Sequence, residues 1–219
     1  MTGLAQSVRE GRARYRFATE RESVPTPPRQ AAHASARVGA IAWARTLTED
    51  PATVFLDTET TGLGGDAEVV ELAVIAANGR VLLDTLVRPL KRIPADASRI
   101  HGILDAHVAE APEWRSIHPV LCALLADRPV VVYNAAFDRR IVAQCCGRLR
   151  LDDPAAVWQC AMRAYAAFRG ESTGRAGGFR WFKLGDAAAA FGARAGGHRA
   201  AADALACRAI VVGMANTAP

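Results

Sequence analysis

Asp57 and Glu59 lie two residues apart in Val54-Phe55-Leu56-Asp57-Thr58-Glu59-Thr60-Thr61-Gly62. Three apolar residues run into the first carboxylate, and the pattern breaks at Gly62. A short apolar run of this kind reads as a buried strand. Side chains alternate faces along a strand, so the two carboxylates share one side. Like charges on one buried face repel and are costly to desolvate. A divalent cation would offset that cost and could also activate a water or polarise a phosphate. The ordinary explanation is an acidic pair at an exposed strand end before a turn.

Further acids follow the same logic. Asp138 closes Tyr133-Asn134-Ala135-Ala136-Phe137-Asp138. It falls just past an apolar strand signal, at the start of a helix. His198 follows the pair Gly196-Gly197, and Asp203 comes five residues later. The histidine then sits on a loop entering a helix, with Asp203 more than one turn in. Taken singly, Asp138 could be a first-turn helix charge, His198 a surface histidine and Asp203 a solvated helical face.

These residues need elements to hold them. Residues 1–50 carry eight arginines against five acids. The run Val24-Pro25-Thr26-Pro27-Pro28 excludes helix there. Residues 1–30 are therefore expected to be a basic, flexible extension. Residues 31–50 should be a helix leading into a domain over 51–215. Strands are predicted at 53–57, 68–77, 80–88, 129–133 and around Val157-Trp158. Asn78-Gly79 marks a hairpin between the second and third. Glu71, inside the second strand, is expected on an exposed edge or face, with a buried role near the acids the lesser alternative. Helices are predicted at 103–110, 113–126, 135–146, 159–169, 184–191 and 200–212, with 89–94 as a connector. Strands alternating with helices after an initial meander give an α/β layered domain.

Composition bounds the function. Apolar content of 51% and charged content of 22% describe a globular chain. No apolar run approaches the roughly 20 residues of a membrane span. The N-terminal stretch lacks a signal peptide's apolar core, so the cytoplasm is the expected location and no membrane partner is expected. Five cysteines without a C-x-x-C pattern read as reduced thiols, not a zinc site. The net charge is +5, and of 27 basic side chains only Lys91 and Lys183 are lysine. Arginine pairs bidentately with phosphate, which suits a nucleic-acid partner. The run Gly62-Leu63-Gly64-Gly65 lacks the G-K-[S/T] of a phosphate loop, against a kinase.

Together the motifs resemble the DEDDh (DnaQ-like) 3′–5′ exonucleases of the ribonuclease-H-like superfamily. The family's D-x-E-T-T-G reads Asp57 to Gly62, its H-N-A-x-F-D reads Tyr133 to Asp138, and its H-x4-D reads His198 to Asp203. The spacer I-H-G-I is also present, from Ile100 to Ile103. The resemblance covers about residues 52–213. It implies a central mixed sheet of about five strands flanked by helices. It implies two Mg²⁺ or Mn²⁺ ions held by Asp57, Glu59, Asp138 and Asp203, with Asp57 bridging both. His198 would be the general base. The substrate would be single-stranded nucleic acid with a free 3′ end, DNA favoured. An exoribonuclease similar to ribonuclease T or oligoribonuclease is the alternative, and a silent nucleic-acid-binding scaffold a third. A polymerase or repair partner is compatible with the resemblance.

Substrate contacts carry over by position. His101 should meet the terminal nucleotide, with Asp96 a further candidate at its 3′-hydroxyl. Thr60 and Leu63 would contact the last base or sugar. Asn134 is counted with them, as is Phe137, for which simply anchoring its helix is the favoured alternative to a sugar contact. Tyr133 departs from the family's histidine. The glycine-rich loop from Arg169 to Lys183 should guide the strand, chiefly through Arg175 and Arg180, the equal alternative being a disordered surface loop. Trp181 and Phe182 in that loop are expected to anchor the next helix.

Overall fold

The computed structural model describes residues 29–174 and 178–218. The expected basic extension, as far as residue 28, and Arg175 lie outside the described residues. Eight helices and five strands follow in the order α1 (Arg29–Glu49), β1 (Val54–Thr60), β2 (Val69–Ala76), β3 (Val81–Leu86), α2 (Ala95–His101), α3 (Asp105–Val108), α4 (Trp114–Leu125), β4 (Arg128–Val132), α5 (Ala135–Arg148), β5 (Ala156–Cys160), α6 (Ala161–Arg169), α7 (Leu184–Ala189) and α8 (Ala200–Ala215). One mixed sheet runs in the order β3-β2-β1-β4-β5. β1 pairs antiparallel with β2 and parallel with β4.

Strand periodicity sorts the core into two layers. Phe55, Ile75 and Val131 face a cluster built from α1, α6, α7 and α8. Val54, Leu56, Val74 and Val130 face the opposite cluster, built from α4 and α5. Asp57 and Glu59 continue the face that Phe55 begins, so they point toward α8. Helix α8 is apolar on nearly every side, with Ala204, Ile210, Val211 and Met214 fully buried. A helix apolar all round belongs inside. It is covered by α1, whose Ile41 and Ala44 are buried in the same cluster. Arg45 ties the two together by donating from Nε to the Ala215 carbonyl at 2.9 Å.

The Asn78-Gly79 hairpin forms as the sequence indicates. Gly79 adopts φ +89°, and the Asn78 side chain accepts from the Arg80 N–H at 3.0 Å. Three elements depart from expectation. β1 runs on to Thr60, because β2 pairs with it through Thr60 opposite Val69. β5 is a full five-residue strand, carried by pairing with β4 from Arg128 to Val132. α2 falls in a stretch for which no element was expected. It is short and polar, so periodicity gives no signal; Pro94 precedes it and Gly102 closes it at φ +73°.

Helix packing around α8 is tight at Gly213. A Cβ there would lie 2.2 Å from the Phe191 ring at the end of α7. Gly213→Ala should therefore destabilise by roughly 1–3 kcal/mol through overpacking. Gly39 in α1 has nothing within 4 Å of such a Cβ, so Gly39→Ala should be neutral or slightly stabilising. Urea unfolding of both variants checks this; an unchanged midpoint for Gly213→Ala would show that the ring has room to move.

Candidate active site

The acids converge because β1 outruns its neighbour. Parallel pairing of β1 with β4 ends at Phe55 and Val131. Beyond that point the Thr58 N–H has no strand partner. It donates instead to Asp138 Oδ1 at 3.1 Å, and the Thr58 hydroxyl donates to the same oxygen at 2.8 Å. Asn134, in the left-handed region at φ 76°, turns the chain from β4 into α5 and so delivers Asp138 to that point. Asp203 arrives from the other face on α8. The Gly196 N–H donates to its Oδ1 at 2.6 Å and the His198 N–H to its Oδ2 at 3.1 Å. The turn is tight: a Cβ at Gly196 would lie 2.1 Å from that of Ala202. His198 itself sits at φ 64°, an unusual conformation for a non-glycine residue.

Glu59, His198 and Asp203 each offer a ligand atom, and the three atoms lie within 4.8 Å of one another. Asp57 and Asp138 share the cleft with them. No group among the described residues donates a hydrogen bond to the carboxylate of Asp57 or Glu59. Burial, then the neighbouring Asp138 and Glu59, push Asp57 well above the usual carboxylate range. Burial and the charges of Asp203 and Glu71 raise Glu59 from 4.5 to about 8. Burial raises Asp138 as well, opposed by the hydrogen bonds from Thr58. A cluster that resists holding its own charge, built of oxygen donors beside one imidazole, fits hard divalent cations.

Glu71 needs correction: it is buried, at 2% exposure, not on an exposed edge. It stands opposite Glu59 in the β1–β2 register. Arg199 grips it, with Nη2 to Oε1 at 2.5 Å, and its Oε2 accepts from the Ala200 N–H at 2.9 Å. Glu71 therefore seats the start of α8 on the sheet.

The cleft has a volume of about 1090 Å³. Thr60, Leu63, Asp96, His101 and Phe137 line it along with the acids. Leu63 is 79% exposed at its rim. His101 is buried with both ring nitrogens engaged: Nδ1 accepts from the Ile103 N–H at 3.0 Å, and Nε2 lies 3.3 Å from the Thr60 carbonyl. Burial lowers its pKa, so it is a neutral strut between α2 and β1. The Thr60 hydroxyl donates to the Gly62 carbonyl at 2.8 Å. Asn134 and Arg180 do not line the cleft. Arg180 is paired with Glu171 at 3.1 Å and lies over the Phe182 ring, which takes it out of the cleft. Tyr133 donates its hydroxyl to the Phe182 carbonyl at 2.8 Å. Phe182 packs against the core as expected, whereas Trp181 is exposed and lines the cleft.

A five-stranded mixed sheet of this order, flanked by helices and with acids gathered at the end of its central strand, is a ribonuclease-H-like fold. The exonuclease family model, RNase_T, matches residues 54–211, and the chain belongs to that family, the DEDDh (DnaQ-like) 3′–5′ exonucleases. The uncharacterized exonuclease CP81 of Escherichia phage 186 is 45% identical over 158 residues, 68% of this chain and 81% of that protein. Exodeoxyribonuclease 10 of Escherichia coli K12 is 35% identical over 111 residues, 49% of this chain and 44% of that protein. The match thus spans less than half the length of that relative. Exonuclease I of E. coli in complex with a dA16 oligonucleotide superposes with a TM-score of 0.60 at 18% identity, covering 72% of this chain and 39% of that one. The nuclease domain of 3′hExo, a DEDDh family member, bound to rAMP, gives 0.60 at 16%, covering 73% and 89%. At these identities the likeness to the solved structures is one of fold.

The raised carboxylates make metal-free stability depend on pH. Glu59 binds its proton more tightly folded than unfolded, so its contribution is complete below pH 4.5 and is lost as pH rises through about 8. The metal-free protein should lose thermal stability across that window. Mg²⁺ added at pH 8 should restore it, and Glu59→Gln should flatten the profile. A metal-free melting temperature that rises from pH 5 to 8 would contradict this.

Proposed function

We propose that the cleft removes mononucleotides one at a time from the 3′ end of single-stranded nucleic acid, with DNA the favoured substrate. The observation that carries this reading is the meeting of Glu59, His198 and Asp203 within 4.8 Å, beside Asp57 and Asp138, in one open cleft. Exonucleases of this family depend on divalent metal ions. Here Asp57, Glu59, Asp138 and Asp203 would hold two of them, Mg²⁺ or Mn²⁺. When bound, such ions supply charge neutralisation at the phosphate and a more acidic water.

The chain's own groups do the rest. Asp138 and Asp203 are held in place at the cleft by protein N–H and hydroxyl donors. His198 takes the proton from the attacking water. Its ring is exposed while its backbone is fixed to Asp203, so it is placed without being buried. The water oxygen bonds to phosphorus and the P–O3′ bond breaks. The shortened strand keeps its 3′ oxygen, which gains a proton, and the terminal nucleotide leaves as a 5′-monophosphate. Leu63, Thr60 and Phe137 line the cleft and would meet the terminal nucleotide there.

The DNA preference draws support from exodeoxyribonuclease 10. A polymerase partner draws support from a DNA polymerase III subunit epsilon-like protein of Rhodobacter capsulatus, 39% identical over 47% of this chain. A nucleic-acid substrate would place the protein at work in the cytoplasm. No helix among the described residues is long and apolar enough to cross a membrane.

A 5′-labelled single strand should shorten in one-nucleotide steps, more slowly as RNA than as DNA. Chelator should stop it and Mg²⁺ or Mn²⁺ restore it. His198→Ala should lower kcat by roughly 10²–10⁴-fold with strand affinity unchanged. Efficient cutting of a circular single strand would refute exonucleolytic action, and affinity falling in step with kcat would make His198 a binding residue.

A further inference from the structure

Among the described residues, Trp181 is the large aromatic that the fold leaves exposed. Trp114 is buried, and Trp43 packs against the core while donating from Nε1 to Gln159 at 3.0 Å. Trp181 is 66% exposed and lines the same cleft as the acids. An exposed indole costs hydration free energy that only a partner recovers.

Its mounting is rigid. Phe182 is half-buried and packs against the core, edge-on to Tyr165 at 5.4 Å. The guanidinium groups of Arg169 and Arg180 lie over its ring, at 4.7 and 5.1 Å. The Phe182 carbonyl takes the Tyr133 hydroxyl, and the Arg180 N–H donates to the Glu171 carbonyl at 2.8 Å. Trp181 thus projects between two fixed residues. Lys183 follows in extended backbone, at φ −68° and ψ 152°. Phe182 is half-buried against the core while Trp181 and Lys183 on either side of it are exposed, and all three line the cleft. Glu171 pairs with both Arg169 and Arg180, whereas Lys183 makes no ion pair among the described residues.

We propose that Trp181 is a platform on which a base of the bound strand stacks, with Lys183 beside it taking the adjoining phosphate. A ring meets every base through its π-face, so this subsite grips the strand without reading its sequence. Tyr133, in the place of the family's histidine, acts as a positioning residue that holds the platform at the cleft. The proposal rests on the reading of the cleft as a nucleic-acid site.

The test compares strand binding by the full-length, chelator-treated protein, using a single-stranded oligodeoxynucleotide and an abasic strand of the same length. Wild type should favour the base-bearing strand by about tenfold or more. Trp181→Ala should lose that preference and Trp181→Phe should keep most of it. In hydrolysis with Mg²⁺, Trp181→Ala should raise KM about tenfold and leave kcat within about twofold. Lys183→Ala should weaken both strands alike and flatten the slope of log affinity against log salt by about one. A Trp181→Ala protein that still prefers the base-bearing strand would overturn the platform while leaving the nuclease reading intact. A wild-type protein that neither binds nor shortens either strand would overturn both.

Discussion

Mutual repulsion of carboxylates is the constraint around which this fold is arranged. Asp57 and Glu59 share a face of the central strand, and Asp138 and Asp203 are brought to them from helices on opposite faces of the sheet. The protein satisfies these acids unequally. Asp138 accepts two hydrogen bonds from Thr58, and Asp203 accepts two backbone N–H groups from its own loop. Asp57 and Glu59 receive none among the described residues, and both are pushed well up by burial and by their neighbours. Half of the cluster is thus fixed by the chain, and half is left short of positive charge. A cation would supply what the backbone withholds.

The surrounding shell serves the same end. Glu71 could have added a further free negative charge beside Glu59, but Arg199 neutralises it and the Ala200 N–H holds it. That pair fixes the start of the helix that carries Asp203. His101, whose pKa is lowered by burial, braces α2 against the end of β1 as a neutral ring. Helix α1 lies outside the stretch matched by the exonuclease family, yet it covers α8 and α6 with fully buried side chains. It completes the layer that buries the Asp203 helix.

What was legible in the sequence was whatever depends on local spacing. The two-residue step from Asp57 to Glu59, the helix entry at Asp138 and the five-residue step from His198 to Asp203 each give a geometry without knowledge of the fold. The layered α/β arrangement followed from alternating strand and helix signals, and the mixed five-stranded sheet from the family resemblance. What could not be read depends on contacts distant in sequence. Arg180 looked like a free cation because Glu171, nine residues away, is brought to it by the pairing of Ser172 with Phe179. Trp181 and Phe182 are adjacent and chemically alike, and only the extended backbone decides which is buried. Helix α2 is too short and polar to show a period. Glu71 was misjudged because its partner Arg199 lies 128 residues on.

Proton release on cation binding tests the central claim most directly. Calorimetric titration of Mn²⁺ into the metal-free protein at pH 7, in buffers of different ionisation enthalpy, counts the protons expelled. Carboxylates raised by burial and mutual repulsion hold protons at that pH and must give them up to a metal. The account predicts net release of about one proton or more per protein, lost in Glu59→Gln. Binding with no proton release would mean that the acids are already ionised, and that repulsion among them is not what the fold is built to resolve.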